Sequence, residues 1–337
     1  MTINNIPDFR VTLDGRDLTG AIRPRLVSLS ISEKRGDEAD QLDLVLDDSD
    51  GRLALPSTGA IVHVQLGWKM GSDVTVGLID KGSFTVDEIE HGGPPDHVTI
   101  RGRSADFTSQ LATRREKGWH ATTLGAVVSE IAGRHKLTPK CADALAGVEV
   151  DSEAQSRESD IAFLRRLGRE HDAVATIKRG ALILKPIGSG ATPSGKALPS
   201  LTLKRREGDA HSYHVERRDD AAGVTASYHD RKSATKEDVT IGDASNARRL
   251  SRTYATKDSA KRAAETAKSR AARQPVTLTL NLGLGRPALY PEQHATVSGY
   301  KAEIDAVAWL IAECTHTLTD RGLSTGLKLE NVRAKPT

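Results

Sequence analysis

The densest cluster of chemically capable residues lies where Asp47, Asp48 and Asp50 precede Gly51. Three carboxylates and a glycine could build a calcium loop. Such a loop takes an acidic ligand at its first position, glycine at its sixth and glutamate at its twelfth. With Gly51 sixth, the first position is Leu46 and the twelfth is Ser57. Both anchoring ligands are missing, and the alternating Leu42, Leu44 and Leu46 lead in as a strand, not a helix. The stretch reads as a turn after a strand.

Other candidates meet geometric objections. His211 and His214 stand three apart in a strand-like stretch, which sends their rings to opposite faces instead of onto one metal. Asp87 and Glu88 are adjacent on a strand and are expected to point apart, whereas a glycosidase needs two carboxyls converging across a sugar. Glu88 and His91, like Glu313 and His316, read as polar structural positions near a strand end. Cys141 and Cys314 are far apart and form no CxxC, so they read as buried thiols of a reducing compartment, not a disulfide or a zinc site. The chain carries no G-x-S-x-G, Walker loop, H-E-x-x-H or G-x-G-x-x-G before a helix. The expectation is no catalytic residue, no cofactor and no metal.

Charge narrows the partners. Lys and Arg number 48 against 45 Asp and Glu, a net of +3, which is too even for a protein devoted to gripping nucleic acid. The basic runs at 114–117 and 204–206 read as solvated faces. The N-terminal "MTINNIPDFR" has neither the basic nor the apolar part of a secretory leader. No run approaches the ~18 apolar residues of a membrane span. A protein made in the cytoplasm without a membrane anchor is expected.

These residues ride on strands. With aromatics at 4%, the core must rest on Leu, Val, Ile and Ala. The first hundred residues alternate with period two: Val27, Leu29, Ile31; Leu42, Leu44, Leu46; Val62, Val64, Leu66; Phe84, Val86; Val98, Ile100. Many short strands with turn signals predict a barrel or sandwich. The period changes near residue 120. Thr122 or Thr123 can cap a helix carrying Leu124, Val127, Val128 and Ile131, with Pro139 as its stop. A second helix carries Ile161, Leu164 and Leu167 behind Ser159 and Asp160. A hairpin turning at Arg179-Gly180 follows. Residues 111–185 thus form a small α/β unit, and 186–200 form a Gly/Pro/Ser-rich linker or loop. An alanine-striped helix is predicted over 257–273, then a strand with Val276, Leu278, Leu280 and Leu282 on one face.

The opening turn has an echo. "GRLALP" at 51–56 resembles "GRPALYP" at 285–291, and a valine follows each proline by six positions, Val62 after Pro56 and Val297 after Pro291. Phe84-x-Val86-x-Glu88-x-x-His91 matches Trp309-x-Ile311-x-Glu313-x-x-His316. The same order in both halves predicts a duplicated β-domain with the α/β unit between the copies. Pro56 should then align with Pro291 and Phe84 with Trp309.

Several motifs in order, among them "DFRVTLDGRDLTG", "GSFTVDEIEHGGPPDHVTIRGRSADF", "GWHATTLGAVVSEIAGRHKL" and "ESDIAFLRRLGREHDA", resemble the phage late control protein D family, the baseplate hub proteins of contractile tails. The match covers 8–185 and continues more loosely through "GRPALYPEQHATVSGY" and "AWLIAECTHTLTDRGLSTGLKLE". The resemblance implies a mainly β chain with an α+β insert: two tail-tube-like β-barrels, at 1–110 and 201–337, separated by the small α/β domain. It implies a structural hub and no enzyme: a homotrimeric ring adapting a six-fold tail tube to a three-fold spike in a phage or tailocin baseplate. The implied partners are tail tube protein and a separate trimeric spike protein, with tape-measure and baseplate wedge proteins as further candidates. The spike is expected to be separate because the chain ends at Thr337, without the OB-fold and β-helix of type VI secretion fusions. The alternative is a tail-tip enzyme or binding module acting on cell wall through residues 111–185.

Overall fold

Alternating apolar residues become strands that share one buried face. The computed structural model describes residues 4–36, 39–104, 113–178, 180–206, 209–215, 223–230, 235–273 and 276–332. The first half is built from Ile6–Leu13, Leu26–Lys34, Gln41–Asp47, Ile61–Met70, Gly77–Gly92 and His97–Ser104. Leu29, Ile31, Leu42, Leu44, Val64 and Phe84 meet in its core. Val27 departs from the expected face. The ladder shifts between Leu26 and Ser28, and this bulge leaves Val27 49% exposed.

The second half uses Leu201–Lys204, Ala210–Val215, Val276–Leu282, His294–Ser298, Trp309–Thr319 and Gly322–Asn331 around buried Trp309, Leu278, Leu280 and Ile311. Its hydrogen-bonded path repeats that of the first half. In the first half Leu26–Lys34, Gln41–Asp47, His97–Ser104, Gly77–Gly92, Ile61–Met70 and Ile6–Leu13 are successive neighbours. In the second half Ala210–Val215, Val276–Leu282, Gly322–Asn331, Trp309–Thr319, His294–Ser298 and Leu201–Lys204 are. The last strands differ: Ile6–Leu13 runs antiparallel to its neighbour, and Leu201–Lys204 runs parallel.

The repeat extends to single residues. The long strand of each half bulges at matching places, between Val86 and Glu88 and between Ile311 and Glu313. Phe84 and Trp309 therefore occupy equivalent sites. Phe84 pairs with Val62 and Trp309 with Ala295, so Val64, not Val62, matches Val297. The matching proline-to-valine spacings are thus not a structural register, and Pro56 and Pro291 are two positions out of step. In the first half the Gly59 N–H donates to Val86 O and the Val86 N–H to Ala60 O. In the second, the Glu292 N–H donates to Ile311 O and the Ile311 N–H to Gln293 O. Gly59 at φ +87° and Glu292 at φ +74° are therefore counterparts.

Both halves belong to one 13-stranded sheet, joined where Trp309–Thr319 pairs with Leu26–Lys34. The hydrogen-bonded path is open among the described residues, and each half has its own core.

Between the halves lies the α/β unit. A ribbon of Arg114–Thr123 and Glu149–Ser159 accompanies the helices Leu124–Arg134 and Asp160–Glu170 and the sheet Thr138–Cys141, Ala173–Lys178, Ala181–Pro186. Thr123 and Ser159 cap the helices, accepting from the Ala126 and Ala162 N–H groups. The first helix ends at Arg134, with Lys136 at φ +56°. Pro139 sits in the next strand and does not itself stop the helix. The hairpin pairs Lys178 with Ala181 and turns through Gly180; Arg179 lies outside the described residues. Asp160, fully buried, accepts from Arg134 Nη1 and Gln155 Nε2 and lies 2.8 Å from His135 Nε2 and 3.3 Å from Arg115 Nε.

The alanine helix, Lys257–Arg273, packs on the strands Gly223–Asp230, Thr235–Gly242 and Ala247–Tyr254, with Ala260 and Ala264 beside Val224, Ala226 and Tyr228. This cluster has its own core, apart from the 276–331 strands, and leans on the α/β unit through Arg252, which bonds Glu170 at 2.6 Å and Glu153 at 3.1 Å.

Candidate assembly surface

The seam between the halves carries a dense polar constellation. Its ladder runs from Glu313 opposite Lys34 to Thr319 opposite Ser28. One face carries small hydroxyls: Ser30 Oγ and Thr317 Oγ1 are 3.3 Å apart, and Thr315 Oγ1 donates to Ser32 Oγ at 3.4 Å. The other face carries Leu29, Ile31, Cys314 and Leu318 into the cores.

Beneath the seam sits a buried polar relay. His316 is fully buried, with Nε2 3.3 Å from Glu33 and 3.2 Å from Leu289 O, and Nδ1 2.9 Å from Thr325 Oγ1. Lys81 Nζ bonds Glu33 Oε2 at 2.5 Å and Pro287 O at 2.9 Å. Burial pushes the Glu33 carboxyl up, but the His316 bond and the Lys81 charge outweigh it and hold the pKa at about 2. Burial, with the Lys81 charge, holds His316 below its ordinary value despite Glu33. A neutral ring fits this geometry: Nε2–H faces Glu33 and Leu289 O, and Nδ1 accepts from the Thr325 hydroxyl.

The echo loop adds further cross-half contacts. The Trp68 indole N–H donates to Gly285 O at 2.9 Å. Gly285 must be glycine here, since a Cβ would lie 2.7 Å from Leu323 Cγ and 2.9 Å from Leu323 O. Glu292 ties three parts together. Its carboxylate lies 2.6 Å from Arg35 Nε of the first half and 3.6 Å from Lys185 Nζ of the α/β unit, and it accepts from the Gly188 N–H at 3.0 Å. Arg35 also bonds Glu330 at 2.6 Å. Sequence reading missed Arg35, Lys81 and Glu292. The only available signal was Glu292 following a proline in the echo loop.

The residues singled out in sequence are scattered. Asp50 forms a two-pronged pair with Arg25, at 2.8 and 2.5 Å, and Asp48 accepts from the Leu53 N–H. These acids brace the turn around Gly51 at φ +63°. His211 stacks edge-on against Tyr300, while His214, one ladder step beyond Tyr213, faces the other side. Asp87 and Glu88 do not point apart. The bulge between Val86 and Glu88 lets them reach Arg103 and Arg101 of one neighbouring strand, at 2.6 and 2.8 Å. His91 lies 3.4 Å from Asp48, and Glu313 accepts from Ser32 Oγ at 3.5 Å. Both cysteines are free thiols. Burial, helped by the Asp143 charge, pushes half-buried Cys141 up to about 11, and burial pushes Cys314 higher still.

The site and fold together define a class of structural β-protein: a duplicated β-fold with an α/β insert, joined through a strand seam. The chain belongs to the phage tail baseplate hub (GPD) family, whose model matches residues 41–322. It is 40% identical to the probable baseplate hub protein of Escherichia phage 186 over 96% of this chain and 92% of that one. The probable baseplate hub protein of Escherichia phage P2 is 38% identical over 96% and 93%. The crystal structure of the tail protein from Neisseria meningitidis MC58 shares the fold at a TM-score of 0.69 and 15% identity, covering 97% of each chain. The chain is thus a structural baseplate component of a contractile phage tail, not an enzyme.

Proposed function

We propose that the chain works as a homotrimeric ring that adapts a six-fold tail tube to a three-fold spike in a phage or tailocin baseplate. The observation carrying this reading is the residue-level repeat: two β-halves with the same strand path and the same bulge. Three chains then present six near-equivalent units to the tube and three whole chains to the spike. Cyclic closure is the usual way for one chain to form a bounded head-to-tail assembly, and a permanent ring should bury more than ~2,000 Å² at each subunit contact.

The working units are a first tube-like domain at 1–110, the α/β insert at 111–185, a connecting segment at 186–200 and a second tube-like domain at 201–337, within which the alanine helix at 257–273 belongs to a separate small cluster and not to the tube-like strands. Tube protein meets one end of the ring and a separate trimeric spike protein the other; tape-measure and wedge proteins are secondary partners. Synthesis takes place in the host cytoplasm. Cryo-electron microscopy of assembled tail tips tests the reading by copy number. Three copies between tube and spike are expected, and one or six would overturn it.

A further inference from the structure

One apolar surface belongs to the first half alone. Nineteen residues separate Val64 from Phe84, while eleven separate their counterparts Val297 and Trp309. In the second half the short connection folds back as the helix Ala302–Asp305, whose Ile304 is buried on the second core with Val307 beside it. In the first half the two strands run on instead, as a hairpin that pairs Gly67 with Leu78 and Trp68 with Gly77. A Cβ on Gly67 would collide with Gly77 O, so the two arms close only around glycine.

The hairpin is held at its base and bare at its end. Trp68 reaches Gly285 O, and Lys81 reaches Glu33 and Pro287 O, so the base is fixed across the join of the halves. Val74 in the connecting loop packs on the first core. Past Trp68, Met70 continues the face of Leu66 and Trp68, and Ile6 stands opposite it on the neighbouring strand. Ile79 stands opposite Leu66. Ile6, Met70, Val76 and Ile79 are 42%, 42%, 57% and 39% exposed, and they make up four of the eight large apolar side chains exposed among the described residues. Such gathering at one hairpin end marks an interaction surface, whereas scattered exposure would not. Asp73 is exposed at its margin.

We infer that this hairpin end seats the three-fold spike protein, which offers apolar side chains to Met70, Val76 and Ile79 and a basic group to Asp73. This deepens the trimer reading and rests on it. Copy number selects the partner. A six-fold tube needs a surface that both halves possess, whereas this hairpin occurs once per chain and three times in a ring of three. A neighbouring copy of the chain is not needed to hold the hairpin, because its base is already fixed to the second half of its own chain. A hairpin fixed in this way loses little freedom on docking, which favours affinity.

Photocross-linking in assembled tails tests the seat, using the full chain with p-benzoylphenylalanine introduced at Met70 or at Val76. Both side chains are exposed, so the probe fits without disturbing the core. The expected result at both positions is an adduct of one hub chain with one spike chain, identified by mass spectrometry. An adduct with tube protein, with a second hub chain or with another tail protein would overturn the inference. The absence of any adduct would also overturn it, since a seated hairpin end has a partner within reach. Copy number is measured on the same tails. Three hub copies with any of those contrary results would leave the trimer standing, and a number other than three would overturn both readings. In a second test, Val76→Asp should leave the melting temperature of the isolated chain unchanged and cut the spike content of tails, relative to hub chain, at least tenfold. Unchanged spike content would overturn the inference.

Discussion

His316 and Glu33 meet 3.3 Å apart across the seam, one from each β-half, with the imidazole fully buried. The pair makes the join between the halves acid-sensitive, and the sign follows from each group. Burial holds His316 below the ordinary histidine value of 6.5, so below that pH the unfolded chain takes up the proton first. Stability from the neutral ring is complete above 6.5 and declines as pH falls below it. Glu33 is held at about 2 against an ordinary glutamate value of 4.5. Its contribution is complete above 4.5 and is lost as pH falls toward 2. Calorimetric melting from pH 8 to 3 should show two acid limbs. His316→Gln should remove the upper limb, and an unchanged profile in that variant would assign the limb elsewhere.

Trp68→Phe should loosen the halves without emptying the core. The ring is 4% exposed and its N–H is the donor to Gly285 O. Phenylalanine fills most of the space but leaves that carbonyl without this partner, a loss of about 1–3 kcal/mol. Chemical denaturation should show a lower midpoint, and hydrogen exchange should rise first around 283–289. Equal exchange there would mean the contact does not couple the halves.

Glu292 offers a test of opposite signs. Its φ of +74° suits glycine, and its counterpart Gly59 is one. Relieving the backbone alone would make Glu292→Gly stabilising by about 1 kcal/mol. Losing the carboxylate leaves half-buried Arg35 and buried Lys185 short of a counter-charge, on the order of 3 kcal/mol the other way. Both Glu292→Gly and Glu292→Gln should therefore lower the melting temperature. A higher one for Glu292→Gly would show that the three-part junction contributes little.

Asp160→Asn should destabilise the α/β unit selectively. The carboxylate is fully buried between Arg134, Arg115 and His135. Burial pushes its pKa up, but the Gln155 and His135 hydrogen bonds and the Arg134 and Arg115 charges outweigh it and hold the carboxyl below the usual range. Removing the charge should cost on the order of 3 kcal/mol. Limited proteolysis should then cut first within 113–186 while the β-halves persist. Uniform loss of resistance would show instead that the unit unfolds together with the halves.

Local chemistry was legible in the chain itself. Period-two alternation marked the strands because one face of each is buried, and threonine or serine before an apolar 3.6-period run marked both helix starts. The paired strings around Phe84 and Trp309 revealed the repeat because side chains on matching strands meet matching cores. Bulges were invisible, since an extra residue at Asp87 or Ala312 looks like any other in the sequence. They reversed the facing expected of Val27 and brought Asp87 and Glu88 onto partners in one strand. The six-residue spacing from proline to valine misled because loop length, not strand register, set it. The seam was also beyond reach. Ser28 and Thr319 pair only because two curled halves bring particular edges together, and nothing local distinguishes an edge that will be filled from one that will stay open. His316 read as a polar structural position near a strand end, while Glu33, Lys81 and Glu292 carried no local signal; the pairing of the halves buried them and turned them into the relay and junction that hold the halves together.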